Sequence, residues 1–203
     1  MIKALIFDVG GVLVRTVDRT HRNALEERLG LHAGESESIV FNSDMGTKAQ
    51  QGAITTPELW AWIQQHLHLD AQGLLAFQHD FWAGDRLDTA LIALIRQLKT
   101  RYQTAIISNA TDSLHHALTH LYPMADAFDL IVGSAYEKVM KPDRVIFERT
   151  LARLQRKPEE AIFVDDFAHN IAAAHALGLH TIHFTPQTNL VAELAKLGVS
   201  TAE

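Results

Sequence analysis

The stretch that most constrains this chain is its first, Lys3 to Leu13, which reads KALIFDVGGVL. A short apolar run, Ala4 to Phe7, delivers a carboxylate, Asp8, and is followed by Val9, two glycines and the apolar pair Val12 and Leu13. Such a run reads as a buried parallel strand that stops at a sharp turn, because glycine supplies backbone angles that other residues avoid. Asp8 is therefore expected at the carboxyl end of a strand. In open α/β sheets ligands bind in the crevice outside those ends, so each later segment can be asked what it brings to Asp8.

Helix-like segments follow Leu13, and the next convincing strand begins only at Gln103. That interval far exceeds what a strand-helix-strand crossover needs. Helices are expected at Arg22 to Leu31, ending at Gly30, at Pro57 to Leu69, capped by Thr55 or Thr56, and at Leu74 to Trp82, with a short one between Glu35 and Ile54. The expected organisation is a core formed by residues 1–14 and 87–203, interrupted by a helical cap over residues 15–86.

From Asp88 helices and strands alternate. Apolar runs at Gln103 to Ile107, Leu130 to Gly133, Ala161 to Val164 and His180 to Phe184 are separated by helical patterns: Leu91 to Leu98, Thr111 to Leu121, the segment with Phe147, Leu151 and Leu154, and one closed by Gly178. A helix from Asn189 to Leu197 ends the pattern. The expected fold class is α/β, a three-layer, doubly wound parallel sheet with an inserted α-helical cap.

Composition narrows the function. A hydrophobic content of 47% suffices for a packed interior, there is no cysteine for disulfides or thiolate chemistry, and the formal charge is -6 with no basic run. Nucleic-acid and membrane partners are not expected. No apolar run is long enough to cross a bilayer, and Asp8 interrupts any leader-like segment at the start, so a cytoplasmic location is the default.

Four strand ends or helix starts offer Asp8, Ser108 with Asn109, Lys141, and Asp165 with Asp166. Three carboxylates converging on one crevice would repel unless a cation sat among them, and an all-oxygen set favours a hard ion such as Mg2+. Lys141 and the Ser108 hydroxyl would cradle phosphoryl oxygens, with one carboxylate free to attack. Other clusters have plainer readings. Asp112, His116 and His120 share a helical face, and His66 lies near His68, but surface solvation accounts for both. Trp60, Trp62 and Trp82 read as cap core. Arg15, Arg86 and the segment Asn42 to Gln51 flank the crevice as candidates for substrate contact.

In this order, from FDVGGVL through Ser108 and VMKPD to FVDDFAHN, the motifs resemble those of the haloacid dehalogenase superfamily, in the branch with a helical cap after the first strand. The resemblance implies Asp8 as the nucleophile that forms an aspartyl-phosphate, Ser108 as a phosphoryl-binding hydroxyl and Lys141 as the stabilising cation. It implies magnesium held by Asp8, the Gly10 carbonyl, Asp166 and, directly or through water, Asp165, with Asn170 supporting the shell. The phosphatases of this family usually carry a second aspartate two residues after the nucleophile as general acid-base, where this chain has Gly10. Loss of such a group costs on the order of a hundred- to ten-thousand-fold in rate. The expected activity is a magnesium-dependent phosphatase for a small phosphorylated metabolite such as a sugar phosphate, the protein being a monomer or homodimer. A phosphate-binding or phospho-switch protein and a haloacid dehalogenase are the alternatives.

Overall fold

The computed structural model describes residues 1–200. Its main sheet has five parallel strands: β1 (Ala4–Phe7), β4 (Gln103–Ser108), β5 (Leu130–Gly133), β6 (Ala161–Asp165) and β7 (His180–His183), in the order β5-β4-β1-β6-β7. The first strand of the chain is thus the middle of the sheet. It pairs with β4 on one side, Phe7 opposite Ile106, and with β6 on the other, Phe7 opposite Val164.

Alternation along the strands builds two separate cores. Leu5, Phe7, Ile106, Ile162 and Val164 face one side, where they meet Leu91, Ile92, Ile95 and Leu98 of a helix at Thr89–Leu98 and Leu190 and Leu194 of another at Leu190–Lys196. Ala4, Ile6, Ala105, Ile107, Ala161 and Phe163 face the other side. There they meet Ile146, Phe147, Leu151 and Leu154 of the helix Arg144–Leu154 and Ala174 of the helix Ala168–Ala176. This is the three-layer α/β arrangement expected from the alternating pattern.

Between β1 and β4 lies a helical insertion. It is entered and left through two short antiparallel strands, β2 (Val14–Thr16) and β3 (Asp85–Leu87), with Arg15 opposite Arg86. Its longer helices are α1 (Thr20–Leu29), α2 (Asp44–Gln50), α3 (Thr56–His66) and α4 (Ala71–Trp82), and between α1 and α2 a single α-helical turn, Glu35–Glu37, runs into a π-helical one, Ser38–Asn42. Leu25, Ile39, Val40, Leu59, Ile63, Phe77 and Phe81 form their own apolar cluster, with Trp60 and Trp62 packed against it. Trp82 is 39% exposed and meets Phe81 edge-on, so the reading of all three tryptophans as core holds for two. Thr55 caps α3 in a capping box with Glu58, and Gly30, in the left-handed conformation, closes α1.

Some boundaries differ from expectation. The helix expected from Thr111 begins at Leu114, as one α-helical turn that widens into a π-helical turn over Ala117–Leu121. The helix α4 starts three residues before Leu74, because Asp70 caps it by accepting from the Gly73 amide. The ribbon β2–β3 was not expected. Three-residue strands give too short a period-2 signal to read.

Candidate active site

The carboxyl ends of β1, β4 and β6 converge. Asp8 follows β1 directly, its amide donating to the Val164 carbonyl at 2.9 Å, and Asp165 is the last residue of β6. Neighbouring parallel strands in register therefore bring two carboxylates from opposite halves of the chain side by side. Lys141 lies between them, its Nζ 2.8 Å from Asp8 Oδ1 and 2.7 Å from Asp165 Oδ2, with 1% of its side chain exposed. A buried cation so placed compensates two buried anions, neither of which could remain charged there alone.

The backbone of Lys141 is held from β4. Asn109 Nδ2 donates to the Lys141 carbonyl at 2.9 Å, and the Lys141 amide donates to Asn109 Oδ1 at 2.8 Å. The residue expected at a helix start thus anchors the lysine-bearing loop, and the helix itself begins five residues later. Ser108, the buried last residue of β4, is paired in register with Gly133 of β5.

Asp165 has both oxygens engaged. Oδ1 accepts from the Phe167 amide at 2.8 Å and from Asn170 Nδ2 at 3.0 Å, and Oδ2 accepts from Lys141. Asn170 is buried and its side-chain amide donates to Asp165 alone. Asp166 differs. Its Oδ1 is buried without a hydrogen-bond partner. Carboxylate oxygens of Asp8, Asp165 and Asp166 lie within 4.8 Å of one another, the one such acidic or histidine group among the described residues.

These environments shift the titration of the carboxyls. Burial pushes Asp8 up to about 7, Lys141 opposing and the neighbouring Asp165 adding to the shift. Burial also raises Asp166, with Asp165 contributing. Like charges gathered in a low-dielectric crevice, with one orphaned oxygen and only oxygen donors, are what a hard divalent cation relieves. The residues present fit such an ion.

Two glycines shape the turn after Asp8. A Cβ on Gly11, whose φ is +74°, would sit 2.1 Å from Asp166 Oδ2, so only glycine lets the turn lie against that carboxylate. At Gly10 a Cβ would meet nothing within 4 Å. The position is open and carries no side chain.

The flanking candidates separate. Arg15 pairs with Asp88, and Arg86 Nη1 donates to the carbonyls of Ala83 and Asp85, so both cations are tied into the ribbon. His116 and His120 stack at 4.6 Å on the surface. Asp112 does not join them, because its carboxylate accepts from the Thr56 amide at 3.0 Å across to the insertion. Sequence reading missed the buried Arg22, which reaches the Phe81 carbonyl, Glu37 and Asp85 inside the insertion, and Ser134, which follows β5. A polar residue after the apolar run LIVG was the signal for Ser134; for Arg22, on a mostly polar helix, there was none.

The fold is a doubly wound α/β one with an acidic crevice at the carboxyl ends of its strands. The chain belongs to the haloacid dehalogenase-like hydrolase family, whose profile matches residues 2–178. It is 28% identical over 196 residues to the sesquiterpene phosphatase astK of Aspergillus oryzae, spanning 96% of each chain. It is 26% identical to the glyceraldehyde 3-phosphate phosphatase of Pyrococcus furiosus, over 90% of this chain and 80% of that protein. Among solved structures, a HAD family enzyme of Bacteroides thetaiotaomicron, in complex with magnesium and inorganic phosphate, superposes with a TM-score of 0.79 at 22% identity, covering 95% of this chain and 99% of that one.

Proposed function

We propose that the protein is a magnesium-dependent phosphatase that hydrolyses a small phosphorylated metabolite, such as a sugar phosphate, through a phosphoryl group carried on Asp8. The observation that carries this reading is the buried triad of Asp8, Lys141 and Asp165 beside the orphaned Asp166 oxygen. Asp8 is the nucleophile: a carboxylate oxygen bonds to phosphorus, the P–O bond to the organic group breaks, and the leaving group departs as an anion that takes its proton from water. Water then attacks the phosphorus, releasing phosphate and regenerating the carboxylate. Ser108 and the Lys141 ammonium hold the phosphoryl oxygens, and Asn109 fixes the loop that aims Lys141.

Asp8, Asp166 and the Gly10 carbonyl would hold magnesium. Asp165, its oxygens engaged by Lys141, Asn170 and Phe167, orients Lys141 and would support the ion directly or through water. Bound magnesium supplies positive charge that keeps Asp8 ionised and offsets the charge gathering on the phosphoryl group. The insertion over residues 15–86 serves as a cap that excludes water and reads the organic part of the substrate. Phosphatase activity in two relatives of similar length supports this over carbon-halogen cleavage, which needs no cation among its carboxylates.

The missing side chain at Gly10 restricts the substrate. Without a carboxylic acid two residues from the nucleophile, leaving groups that depart without a proton, as from sugar 1-phosphates or acyl phosphates, turn over fastest. The test is phosphate release from a nitrophenyl phosphate with magnesium, in the wild type and in Asp8→Asn. Release that the substitution abolishes, with the fold retained by circular dichroism, is the expected result. Unchanged turnover in the variant ends the proposal, and a phosphoryl group that persists on Asp8 without release makes the protein a phospho-switch instead.

A further inference from the structure

Ser108, the end of β4, runs directly into a loop over Asn109 to Asp112, and the two halves of this stretch meet different partners. Asn109 holds the backbone of Lys141, while Ala110, Thr111 and Asp112 meet the insertion or the turn that holds it. The Ala110 amide donates to Ser134 Oγ at 3.0 Å, and the same hydroxyl, in a fully buried residue, donates to the Gln50 carbonyl of the insertion at 2.6 Å. Thr56 Oγ1 bonds Thr111 Oγ1 at 2.8 Å, and the Thr56 amide donates to Asp112 Oδ1 at 3.0 Å. On the core side the Tyr136 hydroxyl donates to the Asp112 carbonyl at 2.9 Å and accepts from the His115 amide at 3.2 Å.

The insertion is shaped to reach this loop. Gly52 has φ +63°, and a Cβ there would fall 2.1 Å from the Ala135 carbonyl, so the strap Gln50 to Thr56 lies against the turn after β5 as only glycine allows. Lys138 donates to the Gly52 carbonyl at the same junction. The described hydrogen bonds of the Asp112 carboxylate all go to Thr56, across the junction. A side chain that only capped its own helix would point the other way.

We propose that Asp112, with Thr56 and Ser134, is a positioning residue that ties the seated cap to the phosphoryl-binding loop, so that Ser108, and through Asn109 also Lys141, are aligned only when the strap Gln50 to Thr56 is docked. This rests on the reading of Ser108 and Lys141 as phosphoryl-binding groups. The physical basis is that a loop held from one side by Ser134 and Tyr136 and from the other by Thr56 has little freedom left, and sub-ångström alignment is what phosphoryl transfer depends on. Undocking the strap frees the loop's outer half and loosens its inner half, so cap closure and alignment of the site occur together.

The test uses the full chain with Asp112→Ala, Asp112→Asn, Thr56→Val and the Asp112→Ala/Thr56→Val double variant. Loss of one or two hydrogen bonds at about 1 kcal/mol each corresponds to about five- to thirtyfold. Asp112→Ala is expected to lower kcat for nitrophenyl phosphate by that factor with KM moved less than about twofold. Asp112→Asn, which keeps Oδ1 as an acceptor, restores most of the loss, and the double variant loses less than the product of the two single losses, because the Thr56 hydroxyl–Asp112 contact is broken in both. Hydrogen exchange without substrate is the second readout: the amides of residues 50–56 and 110–112 are expected to exchange about fivefold faster in Asp112→Ala, with those of β1 unchanged. Equal exchange in wild type and variant, or additive losses in the double variant, overturns the proposal. Because exchange needs no turnover, an inactive wild type would sink the phosphatase reading while leaving this one open to its own test.

Discussion

Substituting Gly10 by Asp asks whether this site lacks a proton donor or has found one elsewhere. The backbone at Gly10 is not in the left-handed region and a Cβ meets nothing within 4 Å, so the new side chain enters open space two residues from Asp8 without displacing an atom. A well-placed general acid contributes about 10²- to 10⁴-fold, or roughly 2.7–5.4 kcal/mol at 1.36 kcal/mol per tenfold. A carboxyl introduced without evolved support should reach the lower end. The expected gain is therefore about a hundredfold in kcat for an alkyl phosphate, whose alkoxide cannot leave unprotonated, against less than about threefold for a nitrophenyl phosphate, whose leaving group needs no proton. Steady-state kinetics on both substrates at pH 6.5, with saturating magnesium, reads the difference. An unchanged alkyl phosphate rate would show that another group already donates the proton. Equal gains on both substrates would show that the added carboxylate acts by some means other than acid catalysis, and either result refutes the reasoning.

Other perturbations follow from the same geometry. Lys141→Met removes the cation that Asp8 and Asp165 share and should cost about 3–5 kcal/mol of metal-free stability at pH 7.5 by urea denaturation; a loss under about 1 kcal/mol would contradict the compensating role. Gly11→Ala places a methyl against the Asp166 carboxylate at a positive φ and should weaken magnesium binding at least about tenfold by calorimetry, with about 1–2 kcal/mol of destabilisation. Asp8 is an acid whose carboxyl burial raises from 3.8 to about 7. Its contribution to metal-free stability is thus greatest below 3.8 and is lost as pH rises through 7, whereas cation binding must expel its proton and so strengthens with pH up to about 7. Calorimetry at pH 6 in two buffers of different ionisation heat should count close to one proton released per magnesium; none released would refute the assignment of Asp8 as a ligand.

The core of this fold was legible because parallel strands buried on both faces are near-continuous apolar runs, and their polar ends stand out against them. ALIF followed by Asp8, and AIFVD followed by Asp166, mark two sides of the crevice before any coordinates are known. What sequence could not show is how a crevice divides labour. Asp165 and Asp166 are adjacent and chemically identical, yet one is saturated by Lys141, Asn170 and Phe167 while the other keeps an orphaned oxygen, and that difference arises from which way each points at the end of β6. Asn109, expected beside Ser108 at a helix start, proves to be a clamp whose partner lies 32 residues away. The contacts of Thr56 with Thr111 and Asp112 span more than 50 residues, and no local pattern announces a pairing of that kind.

The central place of β1 also bears on how the chain is made. Its partners are residues 103–106 and 161–164, so this apolar strand leaves the ribosome before the other strands of its sheet and has no neighbour until about a hundred further residues have followed. The helices of the insertion, whose apolar cluster is assembled almost wholly from nearby sequence, emerge in that interval and can condense while β1 waits. An unpaired apolar strand tethered to an early-folding helical unit is open to capture by a chaperone or by another nascent copy, and slowing synthesis between residues 87 and 103 should therefore lower soluble yield more than the same delay placed after residue 165.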